Sequence, residues 1–474
     1  MFEPDIYRQR RKKLQARFDD GLILLLGNRP SPINMESNIY PFRQDSNFLY
    51  FFGINMPCLA GILDIQAGKD IVFGNEPSVD DFIYSGFLPG LAYLKDVCMA
   101  DDALPLSRLQ EVLVTAREKG QKIYFLPPYS NDIRIWLYEL LGVDPLNVHQ
   151  QVSEKLIQEV VRLREIKSSE EISELEEAVN LTGEMILANM ANLKPGESEV
   201  SAAARARSVA ESRTAISFPI ILTATGQYLH ALPSRARVQN GQMIIQDCGA
   251  ESKDFYAGDI TRTIPVSERF TSQQKEIYEI VLGAQDLGIS LIAPEIEFRD
   301  VHRAVCRYIC EALVQIGLMK GDPVEAEAAG AHALFFPCGL GHAVGLDVHD
   351  MEGLGEDYVG YTDEIRRNSQ FGQHRLRMAK PLKPGMVMTV EPGIYFIPEL
   401  IEKWKQESLH TEFIHFEKLD AYKGFGGIRL EDDVLVTETG HRVLGNPIPR
   451  TIEEVESITR LRSASQGPAN SLGQ

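Results

Sequence analysis

Up to about residue 160, short apolar runs alternate with amphipathic stretches of helical spacing. A polar helix is expected up to Phe18, then a buried strand at "LILLL", an extended segment at "NFLYFFGI", and apolar strand-like runs at "AGILDI" and "DIVFG". The strand-like "KIYFL" and the helix-spaced "DIRIWLYELLG" repeat the alternation, which marks a self-contained α/β domain. The stretch "VRLREIKSSEEISELEEAV" then turns highly charged. Ser168 and Glu171 have the spacing of a capping box, and positions 172, 175, 179, 182 and 186 follow at helical intervals. The junction falls near 155–165, which gives domains at 1–158 and 159–462.

In the second domain, helices are expected at about 197–212, 272–292 and 300–318. Strand runs such as "QMIIQD", "MVMTV" and "DVLVT" separate or follow them, each closed by Gly or Pro punctuation. The pattern is that of an α+β protein with helices packed on a strongly antiparallel sheet. Residues 354–382 are polar, glycine-bearing and weakly periodic, as an excursion at the edge of a site would be. The tail 463–474, "SASQGPANSLGQ", is expected to be disordered.

Composition narrows the possibilities. A chain of 474 residues exceeds one ordinary core, and 44% hydrophobic with 24% charged residues is a soluble globular composition. The net charge of -19 argues against a nucleic-acid partner, because phosphate binding needs a basic surface. No apolar run reaches the roughly 18 residues of a membrane span, so no membrane partner is expected either. The basic run Arg8 to Lys13 lacks a following apolar stretch and stands beside Glu3 and Asp5, so it reads as part of an amphipathic first helix. Six cysteines (Cys58, Cys98, Cys248, Cys306, Cys310 and Cys338) show no paired CxxC spacing, and Cys306 with Cys310 marks one helix face. A reduced, cytoplasmic protein is the expectation.

Five residues bear the chemistry. Asp247 and Asp259 stand in "IIQDCGAESKDFYAGDITRT", equidistant from Lys253, so a turn centred there would set them opposite each other in a hairpin. Like charges so placed repel, and a bound cation offsets the repulsion. His342 lies in "GLGHAVGLDVHD", where Gly339, Gly341 and Gly345 imply close backbone approach and an accessible imidazole. Glu391 ends the apolar run "MVMTV" at Pro392-Gly393. Glu431 falls in "GIRLEDDVLV", where a regular strand would set Arg429 on the same face. Each has an ordinary alternative: solvent-facing turn aspartates, a satisfied core histidine, exposed edge-strand acids. Taken together, four carboxylates balance two divalent cations and a neutral imidazole adds a ligand, which suits hard or borderline ions such as Mn2+. Such a pair would generate a bridging hydroxide near neutral pH and polarise a carbonyl, the chemistry of amide hydrolysis.

The order Asp, Asp, His, Glu, Glu in "DITRT", "GLGHAVGLDVHD", "VEPGIYF" and "GIRLEDD" resembles the pita-bread metallopeptidases, above all the proline-specific branch of aminopeptidase P and prolidase. The likeness covers about 165–450, and "YRQRRKKL" with "YPFRQDSNFLYFFGI" resembles the aminopeptidase P N-terminal domain. The resemblance implies a C-terminal pita-bread (creatinase/aminopeptidase) fold on a curved antiparallel sheet, with a smaller α/β N-terminal domain. It implies that Asp259 and Glu431 bridge two metals, that Asp247 completes one site, and that His342 and Glu391 complete the other, Glu391 also handling protons. His349 and His230 match substrate-side histidines, Arg429 an arginine beside the last ligand, and Tyr395 a supporting neighbour. Two departures stand out. Cys338 replaces the usual histidine of "PHGLGH", and the two aspartates are twelve apart where eleven is usual.

The activity implied is removal of the first residue from peptides with proline second, by a homodimer or homotetramer. Xaa-Pro dipeptidase is the alternative, and a non-catalytic peptide-binding relative a further one that the full ligand set disfavours. A metal-independent creatinase-like hydrolase would leave the four carboxylates without a purpose.

Overall fold

The computed structural model describes residues 1–86 and 88–464, with two compact units: Met1–Arg164 together with Met351–Tyr358, and Glu165–Asp350 together with the chain from Val359 onward. Of the tail expected to be disordered, 465–474 lie outside the described residues, while 463 and 464 end the helix Ile452–Ala464.

In the first unit, strands β1 (Leu22–Leu26), β4 (Ala60–Asp64), β5 (Lys69–Gly74), β6 (Asp102–Pro105) and β7 (Ile123–Phe125) form one sheet in the order β6-β5-β4-β1-β7. Strands β2 (Pro32–Met35) and β3 (Asn38–Ile39) make a separate exposed hairpin. The sheet is mixed: β1–β4 and β4–β5 are antiparallel, β1–β7 and β5–β6 parallel. Leu22, Leu24, Ile62 and Phe73 pack with Leu113, Trp136 and Leu137 of the helices Leu109–Glu118 and Asn131–Leu141 into a buried core.

The basic run is indeed helical, in Pro4–Gln15, and two of its charges turn inward. Arg11 is fully buried. It donates to Asp70 Oδ2 at 2.9 Å and to the carbonyls of Phe51, Cys98 and Met99. A buried guanidinium is tolerable only with its donors satisfied in this way.

One expectation fails here. "NFLYFFGI" is not extended; Ser46–Phe52 is a helix, capped by Asp45, whose side chain accepts from Phe48 N, and closed by Gly53 at φ 65. All seven of its residues are buried, so no polar face existed to reveal a 3.6-residue period.

In the second unit every strand pairing is antiparallel. β8 (Ile221–Thr223), β9 (Met243–Cys248) and β10 (Ile260–Pro265) form one group. β11 (Val387–Val390), β14 (Asp432–Val436) and β15 (His441–Val443) form another, and β12 (Gly393–Tyr395) pairs with β13 (Gly427–Arg429). The long helices Ser169–Asn192, Glu199–Glu211, Ser272–Leu291 and Phe298–Gln315 match the expected ones. Their apolar faces, with Leu175, Ile186, Ile277, Val281, Val305 and Ile309 all but inaccessible, build the core with the strands. The Ser168–Glu171 capping box is present.

Two local readings are corrected by the strand register. Asp247 opposes Thr261, not Asp259, so the aspartates are diagonal neighbours on one face. Bridge Glu251↔Ala257 shows that the turn centres one residue later than Lys253. Glu431 is not inside a regular strand either; it lies in the break between β13 and β14.

Candidate metal centre

The break is what presents the glutamates. Val390 pairs with Asp432 and Gly393 with Arg429, so the register runs unshifted across the gap and sets Glu391 opposite Glu431. Pro392 has no N–H to give to a ladder at that point, and Leu430 N donates to its carbonyl instead. Glu431 N donates to Thr261 O at 3.1 Å, which joins this ladder to β10.

On the other side of β11, the segment around His342 runs antiparallel to it. Thr389 N donates to His342 O and Glu391 N to Leu340 O. Contact this close requires Gly341, because a Cβ there would stand 2.0 Å from the Thr389 carbonyl oxygen. The sequence's glycine cluster thus has the expected cause. Neighbouring segments thereby place the His342, Glu391, Glu431, Thr261 and Asp247 positions side by side.

The side chains converge accordingly. His342 Nε2 lies 3.4 Å from Asp259 Oδ2 and 3.7 Å from Glu391 Oε1. Ligand atoms of Asp259, His342 and Glu431 fall within 4.8 Å of one another, and two ligands of one ion lie within about 4 to 5 Å. Asp247 joins through Arg429, whose guanidinium donates to Asp247 Oδ2 at 2.5 Å, to Tyr395 Oη at 3.1 Å and to Thr261 Oγ1 at 3.1 Å. Thr261 Oγ1 in turn donates to Glu431 Oε2 at 2.6 Å. Asp259 N donates to Asp433, a further buried acid.

Electrostatics say what this cluster lacks. Burial, and then Glu431 and Asp247, push the Asp259 carboxyl well above the usual carboxylate range; burial, Glu391 and Asp247 do the same to Glu431. Like charges 4 Å apart repel by about 4 kcal/mol even at an effective dielectric of 20. One guanidinium cannot balance four carboxylates. Asp247 Oδ1 and Asp259 Oδ1 are buried with no hydrogen-bond partner. Divalent cations supply both the missing charge and the missing partners, so the residues present fit the metals their types imply.

The histidines are set for different tasks. His342 is buried, which lowers its pKa to about 3 and keeps it neutral. Its Nδ1 lies 3.1 Å from Ala343 O, so the proton sits on Nδ1 and Nε2 turns its lone pair toward the acids. His349 packs edge-on against it, ring centroids 4.3 Å apart. Arg377 donates to His349 Nδ1 at 2.6 Å, so that ring is a neutral Nε2–H donor, its pKa lowered to about 2 chiefly by burial. His230 stands more open to solvent, within electrostatic reach of Arg429 and Asp247. Cys338 is close enough for Glu391 to act on its thiol, which burial keeps protonated.

All the expected site residues therefore fall in one region. Thr261, Thr389, Asp433 and Arg377 were not singled out. Thr261 stood unremarked inside "DITRT", whereas nothing in the polar stretch 354–382 distinguishes Arg377 from its neighbours.

Known proteins show the family and the fold. The model of metallopeptidase family M24 matches residues 173–438, and that of the aminopeptidase P N-terminal domain matches 7–144. The Xaa-Pro dipeptidase of Homo sapiens is 31% identical over 88% of this chain and 84% of its own length. The Xaa-Pro aminopeptidase of Escherichia coli is 30% identical over 95% of this chain and 97% of its own. A solved structure of E. coli aminopeptidase P in complex with substrate superposes with TM-score 0.79 at 26% identity, covering 98% of this chain and 99% of that one. With these solved relatives, the α+β pita-bread architecture expected from the sequence holds, and the chain belongs to metallopeptidase family M24.

Proposed function

We propose that this protein is an aminopeptidase that hydrolyses the Xaa-Pro bond at the N terminus of peptides, using two divalent ions, most suitably Mn2+, held by Asp247, Asp259, His342, Glu391 and Glu431. The convergence of Asp259, His342, Glu391 and Glu431 around one buried point, with Asp247 anchored beside it by Arg429, is the observation that carries the reading. The bound ions would supply an activated water and a Lewis acid for the scissile carbonyl.

The chain's own groups do the rest. His349, fixed by Arg377 as an Nε2–H donor, is suited to hydrogen-bond a peptide carbonyl and hold it in place. Glu391 is the least enclosed of the ligand acids, its side chain 21% exposed against 7% for Asp259, so it is the acid best able to exchange protons with substrate. His230, exposed and within electrostatic reach of Arg429 and Asp247, is a candidate contact for bound substrate. Arg429 holds the Asp247 carboxylate in place through its Oδ2.

The carboxylate and imidazole donors admit zinc, cobalt or iron less selectively than a thiolate site would, so the native metal is assigned by donor hardness alone. Free cysteines and the lack, among the described residues, of any helix fit to cross a membrane accord with a cytoplasmic enzyme. A homodimer or homotetramer is proposed by analogy with such enzymes.

The runner-up is Xaa-Pro dipeptidase activity, the named activity of the human relative. Hydrolysis of Gly-Pro and of a longer Xaa-Pro-Pro peptide, each with manganese and then with chelator, separates the readings. Metal-dependent release of the first residue from the longer peptide is expected. Cleavage of Gly-Pro alone would reassign the enzyme as a dipeptidase, and no metal-dependent cleavage of either peptide would sink both.

A further inference from the structure

A second cluster of metal-ligating side chains sits in the same unit and shares no residue with the carboxylate centre. The helix Phe298–Gln315 sets His302 and Cys306 one turn apart on its buried face, and the short turn Ala331–Leu334 brings His332 against them. We propose that His302, Cys306 and His332 bind a further metal ion of the zinc class.

Distances support this. Zinc bonds of 2.0 to 2.3 Å in a tetrahedron put neighbouring ligand atoms about 3.3 to 3.8 Å apart. Cys306 Sγ stands 3.5 Å from His302 Nε2, on such an edge, and ligand atoms of all three residues lie within 4.8 Å of one another. The two imidazole rings are steeply inclined, 76° apart with centroids at 6.4 Å, so they approach the common point from different directions.

His332 supplies an independent sign. Only 1% of its surface is accessible, and the Glu327 backbone engages its ring without good hydrogen-bond geometry, which leaves at least one ring nitrogen with no partner. A buried imidazole whose second nitrogen has no partner costs free energy unless something else engages it. Burial also keeps His302 and His332 neutral, at about 3 and about 4, so each has a lone pair to give.

One thiolate with two imidazoles is a softer set than the carboxylate centre and favours zinc over manganese. Of the three, His302 lines a cavity of about 500 Å³ beside Arg303, Glu327 and Gln370, the side from which an ion would enter. On binding, the metal replaces the Cys306 thiol proton, which leaves to solvent; the imidazoles give lone pairs and lose no proton. The ion would tie the helix to the turn that leads, ten residues on, to His342, and so steady the backbone behind the hydrolytic site. The sequence had offered only the absence of a CxxC pair; His302, four residues before Cys306, lay on the helix face that Cys306 and Cys310 already marked.

Cobalt is the probe. Metal-free full-length protein is titrated with Co2+ while the near-ultraviolet thiolate-to-cobalt charge-transfer band is recorded. The carboxylate centre has no thiolate and cannot give this band, so the result does not depend on whether the peptidase reading holds. The band is expected in the wild type and in the double variant Asp259→Asn/Glu431→Gln, and is expected to vanish in Cys306→Ser. His332→Gln should need at least about tenfold more cobalt to reach half its intensity, in the range that loss of supporting ligand partners costs. No band at saturating cobalt in the wild type, or an unchanged band in Cys306→Ser, overturns the proposal. Should Cys306→Ser fail to fold, X-ray absorption on the zinc-loaded double variant decides. One sulfur near 2.3 Å with two imidazoles supports the site, and a shell of oxygen and nitrogen alone refutes it.

Discussion

Arg429 divides one guanidinium among Asp247, Tyr395 and Thr261, and through Thr261 it reaches Glu431. Replacing it by Met leaves Asp247 buried beside other acids with no cation. Breaking a buried pair in this way costs about 3–5 kcal/mol, so Arg429→Met should lower the unfolding free energy of the metal-free protein by that much, read as a fall in its urea midpoint, and saturating manganese should restore part of it. The acids themselves act in the opposite sense. Asp259 and Glu431 have folded-state pKa values raised above the ordinary 3.8 and 4.5. Their contribution to stability is therefore full below those ordinary values and is lost as pH rises through the raised ones. Chelated protein should melt at a higher temperature in mildly acidic than in neutral buffer. Glu431→Gln should flatten that dependence and raise the neutral melting temperature of the metal-free form. The same variant should lose more hydrolysis than the 10- to 100-fold that removal of an outer partner costs. Both readouts come from thermal melts and rates on one preparation. At this scale the five proposed ligand positions stand out in the sequence because acids stranded among apolar and glycine residues are costly without a purpose. Thr261 and Arg377 were not, because a threonine in a strand and an arginine in a polar loop are unremarkable until a partner is seen.

Elements were legible where one face is polar. The helix Ser169–Asn192 announced both its period and its start, and Ser168 accepts from Glu171 N while Glu171 accepts from Ser168 N. Ser168→Ala should cost about 0.5–2 kcal/mol, read as a shift in urea midpoint at unchanged slope. Glu171→Ala should cost more, since Glu171 also accepts from the buried hydroxyl of Tyr256 at 2.9 Å. The helix Ser46–Phe52 was misread as extended because it is buried all round and its one reliable signal, Asp45 before it and Gly53 after it, is brief. The break at Glu391–Pro392 and Leu430–Glu431 was half visible: proline marked one side, and nothing marked the other.

For the whole molecule, the helix Val79–Ser85 has no buried residue, and Val79, Ile83 and Tyr84 are 74%, 67% and 87% exposed. Apolar groups grouped so openly make this helix a candidate face for the homo-oligomer proposed above. Light scattering should give at least twice the chain mass of 53.1 kDa, and Ile83→Ser with Tyr84→Ser should weaken assembly while leaving metal content unchanged. A single chain mass for the unaltered protein would remove the homo-oligomer from the proposal. Residue types and spacing alone determined an α+β chain, the five candidate site residues and the class of metal those residue types suit, because alternation, caps and isolated acids are local facts. Tertiary structure alone decided which aspartate faces which neighbour, that Arg429 holds Asp247, that Arg377 sets the tautomer of His349, and that His302, Cys306 and His332 meet. Each of those depends on strand register or on residues far apart in the chain arriving within a few ångströms, and neither spacing nor composition carries that distance.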